Sequence, residues 1–109
     1  MAVQPVNIVI EKGTDFSTTF KLKENGSPVN LGICTITSKM RKHYDALTSY
    51  NFTVTKLTPH TSGVIRVGMS TEITSTLSAG RYVYDVLLNT SGVTSKVIEG
   101  TVIVRGTAS

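Results

Sequence analysis

Two histidines, one cysteine and seven carboxylates are all that this 109-residue chain offers to acid–base, nucleophilic or metal chemistry. Their spacing converges on none of these. Asp15, Asp45 and Asp85 stand far apart in sequence, so they do not form the carboxylate pair that general acid–base catalysis needs. Cys34 has no second cysteine to bridge to, and neither His43 nor His60 stands at metal-ligand spacing from it. Both histidines fall in polar connecting segments, where turn and surface roles are the default. Neither Gly-x-Gly-x-x-Gly nor Gly-x-x-x-x-Gly-Lys-Ser/Thr occurs, so no phosphate cradle is encoded. The expectation is a protein that is not an enzyme and uses no metal or organic cofactor.

The one local concentration of functional side chains is Lys39-Met-Arg-Lys-His-Tyr44. Lys39, Arg41, Lys42, His43 and Tyr44 are therefore the candidate residues for gripping a protein partner. The chain has a net charge of +4, but its other cations are spread from Lys12 to Arg105. A nucleic-acid groove wants a stripe of cations with stacking aromatics between them, which one flanking tyrosine does not supply. No specific nucleic-acid partner is expected. Glycan binding is the weaker alternative, because sugar platforms use exposed aromatics, Trp is absent, and only Tyr44 and Tyr50 fall outside the core faces.

A period of two sets the scaffold for these residues. In 81–88, Tyr82, Tyr84, Val86 and Leu88 share one face of an extended chain, Ile98, Val102 and Val104 share a face of the next, and Asn89-Thr-Ser-Gly92 turns between them. Phe16, Thr18, Phe20 and Leu22 alternate with polar residues in the same way. Further strands are predicted over Val6 to Glu11, Ile33 to Lys42, Tyr50 to Lys56 and Val64 to Met69. Asn25-Gly26 supplies the two positive-φ positions of a type I′ hairpin turn, and Thr58 to Gly63 forms a second turn cluster. Ser70 to Leu77 alone has helical spacing, with Ser70 as its cap and Ile73 and Leu77 as anchors. Gly100 marks a bulge in the last strand.

Seven or eight short strands and one short helical connector predict an all-β fold, an antiparallel β-sandwich of immunoglobulin-like kind, with a closed barrel as the alternative. The expected core contains Ile8, Ile10, Phe16, Phe20, Leu22, Ile36, Phe52, Val54, Ile65, Val67, Tyr84, Val86, Val102 and Val104. Cys34 fills a core position beside Ile36 and Met40. One domain over 1–109 is expected, with short terminal segments at 1–5 and 105–109. No stretch approaches the roughly 18 apolar residues of a membrane helix, and no basic or apolar leader opens the chain, so no membrane insertion is expected.

Gly13-Thr-Asp-Phe-Ser17, Ile36-Thr-Ser-Lys-Met-Arg-Lys42, Gly80-Arg-Tyr-Val-Tyr-Asp85 and Glu99-Gly-Thr-Val102 together resemble the small β-sandwich modules of tailed-bacteriophage virions. These include modules of T4-like cyanophages and, more distantly, the N-terminal domain of siphophage baseplate upper proteins. The resemblance covers about residues 8 to 104. It implies a virion structural protein, assembled in the host cytoplasm, whose partners are other virion proteins and copies of itself in a symmetric assembly. Tail, baseplate and neck are the implied places for such an adaptor, with capsid decoration on the head as the alternative. It carries over no catalytic residues. Arg41 and Asp85 are expected to pair across a sheet face.

Overall fold

The computed structural model describes residues 3–106, so the expected terminal segments lie in part outside the described residues, at 1–2 and 107–109. Eleven strands are described: β1 (Gln4–Pro5), β2 (Ile8–Glu11), β3 (Phe16–Lys21), β4 (Lys23–Glu24), β5 (Ser27–Pro28), β6 (Cys34–Arg41), β7 (Tyr50–Asn51), β8 (Thr53–Lys56), β9 (Val64–Met69), β10 (Gly80–Thr90) and β11 (Val93–Arg105). One short helix, α1 (Thr71–Thr74), follows β9. The larger sheet has the order β1-β11-β10-β6-β7, with β2 also paired to β11, and the smaller sheet has the order β3-β9-β8. The chain is an all-β sandwich.

Two of the expected strands are split and a further pairing at Gln4–Pro5 precedes the expected first one, which raises the count. Phe52 interrupts the segment from Tyr50 to Lys56, and its N–H donates to Ser38 O at 3.0 Å. The chain there changes sheets, since β7 pairs with β6 while β8 pairs with β9. Leu22 separates β3 from the β4–β5 hairpin, where Asn25 and Gly26 have φ of 53° and 80° as the Asn-Gly turn demands. Val6 and Asn7 separate β1 from β2. The sandwich is also not purely antiparallel, because both β1 and β2 run parallel to β11. Period two reads a strand's faces but carries no information about its direction.

Alternation places the core between the sheets. Tyr82, Tyr84, Val86 and Leu88 are buried from β10, and Ile98, Val102 and Val104 from β11. The expected core residues are all buried or packed against the core, Phe16, Ile36 and Val54 being the partly buried ones. Phe16, Phe52 and Tyr84 form an aromatic chain between the sheets, with ring centroids 6.2 and 6.1 Å apart. Leu31, Met69 and Val97 join the core unexpectedly. Val97 does so because the β10–β11 register slips by one residue between Val86 and Leu87, so that Val97 is the extra residue of a bulge.

Gly100 is therefore not the bulge. It lies opposite Tyr84 in the ladder, and any Cβ there would overlap the Val6 carbonyl. Its bareness lets residues 6–7 press closely against β11, where the Tyr84 hydroxyl donates to Val6 O at 2.7 Å. Burial pushes that phenol up to about 12.

The cap of α1 is also different from the expected one. Ser70 makes no side-chain cap bond; Asp15 Oδ1 accepts instead from Thr71 N–H at 2.8 Å and from Thr71 Oγ1 at 2.7 Å. These bonds, the hydroxyl's first, hold the Asp15 carboxyl below its ordinary value.

Candidate functional site

Alternation along β6 decides where the basic cluster goes. Ser38 and Met40 point inward and are buried, so Lys39 and Arg41 stand on the outer face of the larger sheet. Lys42 falls on the other side, with Nζ 4.6 Å from the Tyr82 ring centroid. The five candidate residues therefore do not form one patch. Lys39, Arg41 and Tyr44 line a groove of about 690 Å³ on the outer face, whereas Lys42 and His43 line a separate cleft with Tyr50 and Tyr82.

The groove lies between the sheet and the connection at 42–49. Its floor includes Val83, Asp85 and Leu87 of β10. The connection is braced by three contacts: Arg41 Nη1 donates to Ala46 O at 2.6 Å, Ala46 N–H donates to His43 O at 2.9 Å, and Lys96 Nζ stands 5.3 Å from the Tyr44 ring centroid. Leu47, fully exposed, projects from this braced turn. The expected Arg41–Asp85 pair is corrected by register, because the ladder sets Lys39 opposite Asp85 and turns Arg41 to the Ala46 carbonyl.

Charge on this face is mixed. The cations Lys39, Arg41 and Lys96 share it with Asp45, Asp85 and Glu99, and Lys96 approaches Glu99 at 3.9 Å. The face is thus no cationic stripe. Tyr44 and Tyr50 do not make one aromatic platform either: Tyr44 lies over the outer face, while Tyr50 packs edge-on against Tyr82 with centroids 6.3 Å apart. Burial, then the neighbouring Tyr50, raises the Tyr82 phenol above its ordinary value.

Sequence reasoning missed Lys96, which reaches the site only through the hairpin register, and Leu47, whose signal was an apolar residue inside a polar connection. It also left Lys56 without a role. That amine turns inward and donates to Leu31 O at 3.2 Å and Cys34 O at 2.8 Å, closing one end of the sandwich. Cys34 is buried with Sγ 3.2 Å from Thr90 Oγ1. Among the described residues, no three His, Cys, Asp or Glu side chains are placed to hold a metal ion.

Solved structures share this fold. The N-terminal domain of phage TP901-1 ORF48 superposes with a TM-score of 0.56 at 12% identity, over 96% of this chain and 90% of that one. Listeria monocytogenes InlP superposes with a TM-score of 0.53 at 15% identity, over 94% of this chain. This chain spans about a quarter of the InlP chain, 26% of its length. No family model and no curated protein sequence matches. At such identities the likeness is one of fold.

Proposed function

We propose that the protein is a non-enzymatic structural component of a bacteriophage virion, an adaptor present in several copies in the tail, baseplate or neck. The observation that supports this most is the extent of its likeness to the phage domain, which spans nearly the whole of both chains. The sequence resemblance points the same way from different evidence, the turn and core residues of Gly13 to Ser17 and Gly80 to Asp85. Partners are other virion proteins and further copies of this chain.

The outer face of the larger sheet is the grip. Val83, Leu87 and the exposed Leu47 give it an apolar centre around Asp85, and Lys39 and Asp45 give it a mixed polar rim, the make-up of a non-obligate protein interface. Lys39 is the clean charge probe there, since Arg41 and Lys42 also hold the local structure. Proteomics of purified particles should find this chain at several copies per particle, and its absence overturns the reading. Lys39→Glu combined with Leu47→Asp should leave the fold intact and reduce incorporation; normal incorporation means that this face is only solvated.

A further inference from the structure

Four strand edges bound the two sheets, and three of them are guarded. The β1/β2 edge carries Pro5 and is interrupted at Asn7, whose Oδ1 accepts from Thr101 N–H at 3.2 Å and Thr101 Oγ1 at 3.0 Å. At the opposite side of the larger sheet β7 covers only Lys39 and Met40, and the β6 edge before it is taken up by Lys56 Nζ on Cys34 O and Phe52 N–H on Ser38 O; in the smaller sheet β8 is four residues long. Short strands, prolines and interruptions are how proteins keep edges from pairing. β3 has none of them. It is six residues long, pairs with β9 in unbroken register, and has no proline or glycine.

The direction of its free groups follows from one bond. Leu22 N–H donates to Gly63 O at 2.7 Å, so residues of the same parity, Phe16, Thr18 and Phe20, turn their backbone groups towards β9. Ser17, Thr19 and Lys21 turn theirs outward from the sheet edge. The sequence around this edge is a pseudo-palindrome. Reading away from Thr18, Ser17 matches Thr19, Phe16 matches Phe20, and Asp15 meets Lys21.

From this we infer that β3 pairs antiparallel with β3 of a second copy about a twofold axis at Thr18, joining two three-stranded sheets into one of six strands. In that register Ser17 and Thr19 of opposite copies exchange backbone hydrogen bonds, which needs edge-pointing groups on both, and both have them. Phe16 then stands opposite Phe20, covering the half-buried Phe16 ring. Each Lys21 faces the partner's Asp15, giving two opposite-charge pairs on a sheet whose own strands carry only the charges Lys21, Lys56 and Arg66. Asp15 is free to serve both roles, because its two bonds to Thr71 fall on Oδ1 alone. The charge match selects a second copy: an acidic segment would complement Lys21 but be opposed by Asp15.

The pairing goes beyond the virion role, and its test is independent of particles. Thr18 on the twofold axis would be a non-hydrogen-bonded pair with Cα atoms about 4.5 Å apart, within disulfide range. Thr18→Cys should therefore form a covalent dimer under mild oxidation, while the wild type, whose Cys34 is buried, should not. Adding Ser17→Pro, which deletes one edge-pointing N–H and no intrasheet bond, should abolish the cross-link with the circular dichroism unchanged. Sedimentation of the wild-type chain at high micromolar concentration should show a dimer, and Lys21→Glu should weaken it about tenfold, two pairs being lost together. A Thr18→Cys chain that stays uncross-linked, a dimer indifferent to Ser17→Pro, or an edge that instead takes an added acidic extended peptide overturns the inference.

Discussion

β2 and β3 leave the turn at 12–15 as edge strands of different sheets, and the protein finishes them in opposite ways. Around β2 every device closes the edge: Gly100 lets the chain approach, Tyr84 and Asn7 pin the approach, and Arg105 pairs with Glu11 at its end. β3 is fastened on one side only, by its ladder to β9, and its outer edge carries none of the edge-blocking devices. Val6 N–H donates to Glu99 O at 2.9 Å and Lys12 N–H to Arg105 O at 2.8 Å, whereas Ser17 and Thr19 present their backbone groups outward. Amide exchange measures this contrast directly: Val6 and Lys12 should be protected in dilute solution, while Ser17 and Thr19 should gain protection only as concentration rises.

The largest effect is expected where the closed edge has no slack. Gly100→Ala drives a methyl group into the Val6 carbonyl, so the segment at residues 6–7 must lift from β11. Overpacking against backbone costs about 3 kcal/mol, and urea unfolding should show a loss of that order. A loss below about 1 kcal/mol would mean that this segment yields freely and that β2 is no better fastened than β3.

How much of this was legible follows from what alternation can encode. Phe16 to Lys21, Val64 to Met69 and the 80–90/93–105 hairpin were readable because one face of each is apolar and the other polar, and Asn25-Gly26 because its turn needs positive φ. The switch of sheets at Phe52 was not, since Phe52 and Val54 keep alternating through it and only the hydrogen bond to Ser38 O reveals the break. Gly100 is legible as special but its role is not, because a glycine needed for close approach has the same sequence signature as one at a bulge. In the candidate site the cluster from Lys39 to Tyr44 was legible as exposed. Its division between two faces follows period two only as far as Lys42, because the turn beyond β6 sets Tyr44 with Arg41 and His43 with Lys42; that turn and the arrival of Lys96 from a distant strand depend on tertiary structure.

A smaller effect should come from the bond that fastens the closed edge. Tyr84→Phe removes the 2.7 Å bond to Val6 O and leaves a carbonyl short of a partner, a loss of about 1 to 2 kcal/mol. Its pH dependence has a definite sign. The folded phenol is pushed up to about 12, above an unfolded value of about 10, so the stabilisation is full below about pH 10 and fades as pH rises towards 12. The stability gap between wild type and Tyr84→Phe should shrink across that window. A gap that stays constant there means that burial does not oppose ionisation of the phenol.

The smallest effect belongs to Asp15, the joint between the two edges, and it can sharpen the contrast in a way the larger ones cannot. Its carboxyl is held below the ordinary value by Thr71, so the stabilisation it gives is complete above the unfolded value of about 4 and is lost as pH falls through the depressed folded one. In dilute solution the stability difference between wild type and Asp15→Ala should therefore be flat from neutral pH to about 4 and decline below it. Pairing through β3 brings Lys21 of the second copy to the same carboxylate, which depresses it further. At concentrations where the dimer forms, the acid decline should still begin near pH 4 but run deeper and end at lower pH, and Lys21→Glu should remove that extension while leaving the dilute curve in place. If concentration does not move the curve, Asp15 serves the α1 cap alone, and the open edge draws no help from charge.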